Sequence, residues 1–135
     1  TNEPAYGAFL NWMYFSDATL TFPQTLVLRY SQLEPEERRN PQVAGDYAKW
    51  FLGRLRAVEA ATANGQNLCA GRFTAADIVN GYALRLAGNI GLAKDFGPNV
   101  AAYWARLQER EGYQRAVAAE RKAGVEQNVT PRVRA

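Results

Sequence analysis

Gly71-Arg72-Phe73-Thr74-Ala75-Ala76-Asp77-Ile78 is the stretch on which the fold turns. Thr74 is a good N-cap residue, and Asp77 stands three positions on, where its carboxylate can reach back to the N–H of the cap residue. Acid in that first turn also meets the positive end of the helix dipole. Phe73, just before the cap, and Ile78, on the fourth helical position, are spaced to close over the turn as a hydrophobic staple. Loss of the cap alone should cost about 1 kcal/mol. Val79, Tyr82, Ala83, Leu86 and Ile90 carry the helix forward on one stripe, with Gly81 and Gly88 able to admit another backbone and Gly91 as the stop.

Working outward, Gly97-Pro98 opens a further helix bearing Val100, Tyr103, Trp104 and Leu107 at helical spacing, and Gly112 is its expected end. A short last helix should run from Tyr113 to about Ala123, with Ala116 and Val117 inward and Gly124 as terminator; residues 125–135, with Pro131, Arg132 and Arg134, read as a surface tail. Upstream, Asn40-Pro41 supplies a cap and a first-turn proline for a helix whose Val43, Tyr47, Trp50, Phe51, Leu55 and Val58 form one apolar face, closed at Asn64-Gly65. The first helix should begin near Pro4 and reach about Tyr30, kinked or split by Pro23, which cannot donate to the Thr19 carbonyl. From Phe9 to Phe15 every residue except Asn11 is apolar or aromatic, which implies burial on more than one side, either inside its own bundle or against another domain or subunit. The expected fold is all-α: a five-helix bundle over residues 1–124 with a tail at 125–135.

The 135 residues are enough for one domain with a real core, and 47% apolar with 21% charged residues is the composition of a folded chain. A net charge of +3 without dense basic clustering does not point to nucleic acid. No apolar run approaches the roughly 20 residues of a membrane span, and the start lacks the pattern of a signal peptide, so a cytoplasmic address is the expectation. Histidine is absent, which excludes Ser-His and Cys-His catalysis and removes the commonest zinc ligand; no metal site is expected. Cys69 is the only cysteine and reads as a packed apolar residue. Arg106, Arg110, Arg115 and Arg121 read as a solvated face paired with Glu109, Glu111 and Glu120. Nowhere is there a phosphate loop or nucleophile elbow.

Three stretches in order resemble the C-terminal helical domain of the glutathione transferases. Phe9-Leu-Asn-Trp-Met-Tyr-Phe-Ser-Asp-Ala-Thr-Leu-Thr-Phe-Pro23 is similar to the long domain-opening helix of bacterial members. Gly71 to Ile78 resembles the capping box and staple that mark this domain, and Tyr103-Trp-Ala-Arg-Leu-Gln-Glu-Arg-Glu-Gly-Tyr-Gln-Arg-Ala116 resembles its late segment, where a proline commonly stands at the position of Glu111. The likeness spans roughly residues 5 to 123.

The resemblance implies what composition could not. In such enzymes a thioredoxin-like N-terminal domain binds glutathione and activates its thiol, and the helical domain walls the pocket for an apolar electrophile. Nothing resembling the thioredoxin-like domain lies in these residues, so this chain is expected to bind no cofactor and to lack activity alone, with glutathione as co-substrate of a parent enzyme. By resemblance the electrophile contacts are Trp12, Ser16, Thr19 and Leu20 on the first helix, with Leu86 and Asn89 from the third; no catalytic residue is assigned, and Thr74 and Asp77 remain structural. Some bacterial relatives carry a histidine near the position of Thr19, and its absence argues against that subclass. The same likeness implies a homodimer through the first two helices, with Asp17 as a polar contact. A noncatalytic adaptor, docking proteins through the same helical fold, is the alternative reading.

Overall fold

The computed structural model describes residues 3–129. The described chain is all-helical: α1 (Tyr6–Phe15), a π-helical turn (Ser16–Thr21), α2 (Phe22–Leu28), a second π turn (Arg29–Leu33), a 3₁₀ turn (Glu36–Arg38), α3 (Pro41–Thr62), α4 (Ala75–Asn89), a 3₁₀ turn (Ala93–Asp95), α5 (Pro98–Glu109) and α6 (Glu111–Glu126). Backbone angles stay right-handed helical across Ser16, Phe22 and Arg29, so α1, α2 and both π turns make one continuous rod. Five rods result, as expected. Leu20, Phe51, Leu55, Val58, Leu84, Val100 and Tyr103 form the centre of the core.

Proline is expected to disturb the first rod, and the disturbance lies just ahead of it. Phe22 donates its N–H back to the Asp17 carbonyl, an i→i−5 bond, and the wider turn delivers Pro23 to a buried place in a helix that needs no N–H from it. α1 buries none of its residues fully, and Tyr14 is 71% exposed. Its all-round apolar character is therefore not that of a helix central to its own bundle.

Polar side chains fix the rod against α4. The Ser16 hydroxyl donates to the Val79 carbonyl at 2.6 Å, the Asn80 amide donates to Trp12 and Ala76 carbonyls at 2.8 Å each, and the Gln24 amide donates to Ala83 at 3.0 Å and Leu20 at 3.1 Å. Burying such groups is tolerable only because each donor finds a carbonyl. Gly81 faces α5 and makes room for side chains rather than for another backbone: an added Cβ would meet Leu107 Cδ1 at 3.0 Å. Gly88 has open space and needs no such explanation.

At the start of α4 the capping box forms. The Thr74 hydroxyl oxygen accepts from the Ala76 N–H at 3.2 Å, and Asp77 Oδ2 accepts from the Thr74 N–H at 2.8 Å. Asp77 is fully buried, and its other oxygen accepts from the Leu68 N–H at 3.0 Å and the Tyr103 hydroxyl at 2.9 Å. The staple does not seal: Ile78 is 59% exposed, and Phe73 is covered instead by the Arg110 guanidinium, 3.5 Å from its ring centroid.

α5 begins at Pro98 without a side-chain cap of its own. Glu59 of α3 serves instead, its carboxylate accepting from the N–H groups of Asn99 at 3.0 Å and Val100 at 2.9 Å. An anion at that end satisfies orphan donors and the helix dipole together.

Several boundaries depart from the sequence reading. The last two helices part at Arg110, which takes an ordinary extended conformation, so Gly112 lies inside α6 rather than ending α5. α6 likewise passes through Gly124 to Glu126, taking the first residues expected of the tail; Pro131, Arg132 and Arg134 lie outside the described residues. Ala116 is exposed and Val117 half-buried. On α3, Phe51, Leu55 and Val58 are buried, but Trp50 is 44% exposed and Val43 and Tyr47 are half-buried, so the stripe is covered only along part of its length. Glu120 pairs with Arg85 at 2.6 Å, and Arg115 pairs with Glu111; the basic series is thus only partly paired as expected.

Asp77→Ala should lower unfolding free energy by about 3–5 kcal/mol, since it strands two buried donors and a cap. Urea denaturation checks this, and a loss below about 1 kcal/mol would contradict the network. The Tyr103 phenol is pushed far above its ordinary pKa, first by burial and then by the Asp77 carboxylate, with Arg106 opposing. Above about pH 10 the unfolded chain releases this proton while the folded one keeps it, so stability complete below that pH falls as pH rises. The stability advantage over Tyr103→Phe should shrink by about 1 kcal/mol per pH unit there, whereas a gap independent of pH would rule the coupling out. At Gly97 an added Cβ would lie 2.5 Å from Glu59 Oε2. Gly97→Ala should displace the carboxylate and cost about 1–2 kcal/mol, the worth of a helix cap. In a Glu59→Ala background, equilibrium unfolding should show most of that penalty gone.

Candidate functional site

The six residues assigned to an electrophile pocket do not converge on one cavity. Ser16 is buried with its hydroxyl committed to Val79, and Leu20 is fully enclosed in the core. Trp12 is half-buried, set edge-to-face on Phe15 at 5.1 Å between ring centroids. Thr19 is also half-buried but lines a different recess, with Phe15, Phe22, Trp50 and Arg54. Trp12, Ser16 and Leu20 thus all turn to the core or to α4, while Thr19 opens on the recess beside α3. Leu86 and Asn89 sit half-buried near the end of α4. They follow Ala83, whose carbonyl accepts from Gln24, and neither lines the recess that holds Thr19.

Two grooves carry aromatic side chains. The larger, about 770 Å³, runs between α4, α5 and α6, with Phe73, Ile78, Tyr82, Trp104, Tyr113 and Val117 among its walls. Trp104 and Tyr113 meet edge-on at 5.4 Å, making the α5–α6 side aromatic. Its rim is basic: Arg110 lies over Phe73, and Arg85 is held by Glu120, whose hydrogen bond raises the guanidinium's pKa above its ordinary value. The smaller, about 430 Å³, opens between the first rod and α3, where Phe22 and Trp50 stand edge-to-face at 6.3 Å and both are exposed. Tyr47 stacks on the other side of Trp50 at 5.4 Å. The larger groove was missed in the sequence reading because it depends on how α6 turns back at Arg110, and no residue type announces that turn.

Chemistry is sparse. Asp77 reaches the larger groove, yet its carboxylate is occupied by donors from three segments and is a structural group. Cys69 is buried, with its sulfur 3.9 Å from the Thr74 hydroxyl. Among the described residues no three His, Cys, Asp or Glu side chains gather to hold a metal ion, and no helix is long and apolar enough to cross a membrane. These surfaces can hold apolar or aromatic groups; Glu111, at the edge of the larger one, is paired with Arg115.

No protein-family model matches the chain, and no curated protein matches it. Solved structures do. The glutathione transferase URE2P5 from Phanerochaete chrysosporium superposes with a TM-score of 0.81 at 21% identity, covering 95% of this chain and 59% of that one. The same protein cocrystallised with 1-(S-glutathionyl)-2,4-dinitrobenzene gives 0.80 at 21% identity, over 91% of this chain and 59% of that one. The glutathione transferase URE2P8 from the same organism, with oxidised glutathione, gives 0.76 at 20% identity, over 90% and 55%. The chain thus spans less than three fifths of the length of these transferases, and its described secondary structure is helical. In architecture it has the fold of the C-terminal helical domain of the glutathione transferases.

Proposed function

We propose that this chain is the electrophile-holding helical domain of a glutathione transferase-type enzyme, acting beside a thioredoxin-like domain that binds glutathione. The observation that carries the reading is the superposition on URE2P5 over nearly the whole chain. That protein's complex with a dinitrophenyl glutathione conjugate joins the two substrates such an enzyme would bring together. In the reaction the glutathione thiolate forms a C–S bond to the electrophile, whose leaving group departs with the bonding pair. This chain contributes position and dryness, not a reacting group.

Of the residues assigned by resemblance, Trp12 is the best placed to touch an apolar ligand, with Phe15 beside it. Ser16 and Leu20 act behind it by fixing the rod to α4 and the core. Thr19, Leu86 and Asn89 take part only if the completed protein extends the pocket beyond one surface.

The two grooves fit the remaining assignments. About two fifths of the URE2P5 chain lies outside the matched part, and the thioredoxin-like domain would need an apolar seat; the groove between α4, α5 and α6, with Trp104 and Tyr113 in its walls, would offer one. The recess with Phe22 and Trp50 lies on the first two long rods, where the two-fold contact of a homodimer is expected.

Trp12 is one of three tryptophans, so its fluorescence can be isolated. Titration with 1-(S-glutathionyl)-2,4-dinitrobenzene should quench the chain's emission, and Trp12→Phe should remove most of the saturable component. Glutathione-dependent conjugation by the chain alone should be negligible. A quench unaffected by Trp12→Phe would refute the pocket assignment, and robust turnover by the isolated chain would refute the division of labour.

A further inference from the structure

The dipeptide Asn-Gly occurs twice in the chain, at Asn64-Gly65 and at Asn80-Gly81. This pairing is open to a spontaneous reaction: the backbone nitrogen that follows an asparagine can attack the side-chain amide carbon, and a glycine there has no Cβ to crowd the approach. Two conditions decide whether a given pair reacts. The attacking N–H has to be free, and the side chain has to be able to swing onto it. The fold sets the two copies at opposite extremes.

Asn80 and Gly81 are both buried within α4. The Gly81 N–H belongs to the helical ladder, and the Asn80 side-chain nitrogen donates to the Trp12 and Ala76 carbonyls at 2.8 Å each. Reaction there requires the helix to open and the rod to part from α4. Asn64 and Gly65 stand in the segment between α3 and α4, and both are exposed. Among the described residues no backbone carbonyl accepts from the Gly65 N–H. The first pair therefore meets both conditions in the native fold, and the second meets neither.

We infer that Asn64 is a site of spontaneous deamidation in the folded protein, and that Asn80, with the same neighbour, is shielded by the fold. The Gly65 nitrogen, its proton lost to hydroxide, forms a bond to Asn64 Cγ. The bond from Cγ to the amide nitrogen breaks, and ammonia leaves with a proton drawn from water. Water then opens the cyclic imide at either carbonyl, giving aspartate by one route and isoaspartate by the other. Either product lowers the formal net charge of +3 by one. Isoaspartate also routes the chain through the former side chain and lengthens the backbone by a carbon. That change falls in the segment that brings the Leu68 N–H to Asp77. Neither Asn64 nor Gly65 lines a groove of the proposed function, so the inference stands or falls apart from it.

The test keeps the 135-residue chain folded in mildly alkaline buffer, beside a second sample unfolded in urea, and draws aliquots over time. Trypsin, which cuts after Lys and Arg, releases residues 57–72 and 73–85, each holding one of the two Asn-Gly pairs. Mass spectrometry of the two peptides follows conversion at Asn64 and at Asn80. In the folded chain Asn64 should convert at least about a hundredfold faster, because Asn80 reacts only from opened forms, and in urea the two rates should draw within about threefold of each other. Gly65→Ala is a mild substitution, since an added Cβ would meet nothing closer than the Asn67 carbonyl oxygen at 3.6 Å. It should slow conversion of Asn64 at least about tenfold by crowding the attacking nitrogen. Equal rates at the two sites in the folded chain would overturn the inference, as would a gap that persists in urea or undiminished conversion in Gly65→Ala.

Discussion

A carboxylate sealed from water has to be given donors, and the way Asp77 obtains them determines how three segments of the chain meet. The loop before α4 contributes the Leu68 N–H, the first turn of α4 contributes Thr74, and α5 contributes the Tyr103 hydroxyl. Each donor is worth little in water, but inside the core each becomes indispensable to the same acceptor. Side-chain length matters here. Glutamate is the commoner partner in a capping box, yet its extra methylene would carry the carboxylate past the position where Leu68 and Tyr103 reach it. The shorter acid turns a local helix start into a junction between elements.

The same economy recurs elsewhere in the fold. α5 has no capping side chain of its own and takes a carboxylate from α3, while Ser16, Asn80 and Gln24 tie the first rod to α4 through backbone carbonyls. Apolar burial supplies the bulk of the driving force, but it is non-directional and would tolerate one helix sliding past another. The polar contacts fix the register. The first π turn belongs to this picture, since a turn bonded i→i−5 lets Pro23 be buried without breaking the rod and holds Leu20 in the core ahead of it.

Helix starts were legible in the sequence because a cap is a local device: Asn40-Pro41, Thr74 and Pro98 each open a helix where their chemistry says they should. Ends were less legible. Glycine permits termination without compelling it, so Gly112 and Gly124 are absorbed into α6, while the chain turns at Arg110 in a conformation open to any residue. The π turns leave no trace in residue type, and a stripe drawn through Trp12, Ser16, Thr19 and Leu20 gives no sign that the core and α4 will take Ser16 and Leu20 out of reach of a ligand. Periodicity also cannot tell which half of an apolar face the chain itself will cover. Phe51 and Trp50 are neighbours on α3, one enclosed and one exposed. The larger groove was out of reach for a further reason: its walls come from residues some forty positions apart, brought together only when α6 folds back.

Two aromatic surfaces share no residue. One is formed by α4, α5 and α6; the other is formed by the first rod and α3. Apolar surfaces of this kind carry a cost in water, and covering one does nothing for the other. On the proposed reading, domain packing and subunit association are therefore separate events, each relieving its own exposed patch. The links between them pass through the interior. The rod bearing Phe22 is bonded by Ser16 and Gln24 to α4, and α4 carries Ile78 and Tyr82 into the other groove. A shift of the rod caused by pairing of two subunits would reach the second surface only by moving those buried hydrogen bonds, whose donors have no alternative partners in the core. The seam therefore resists such motion, so that the two surfaces can be occupied in either order.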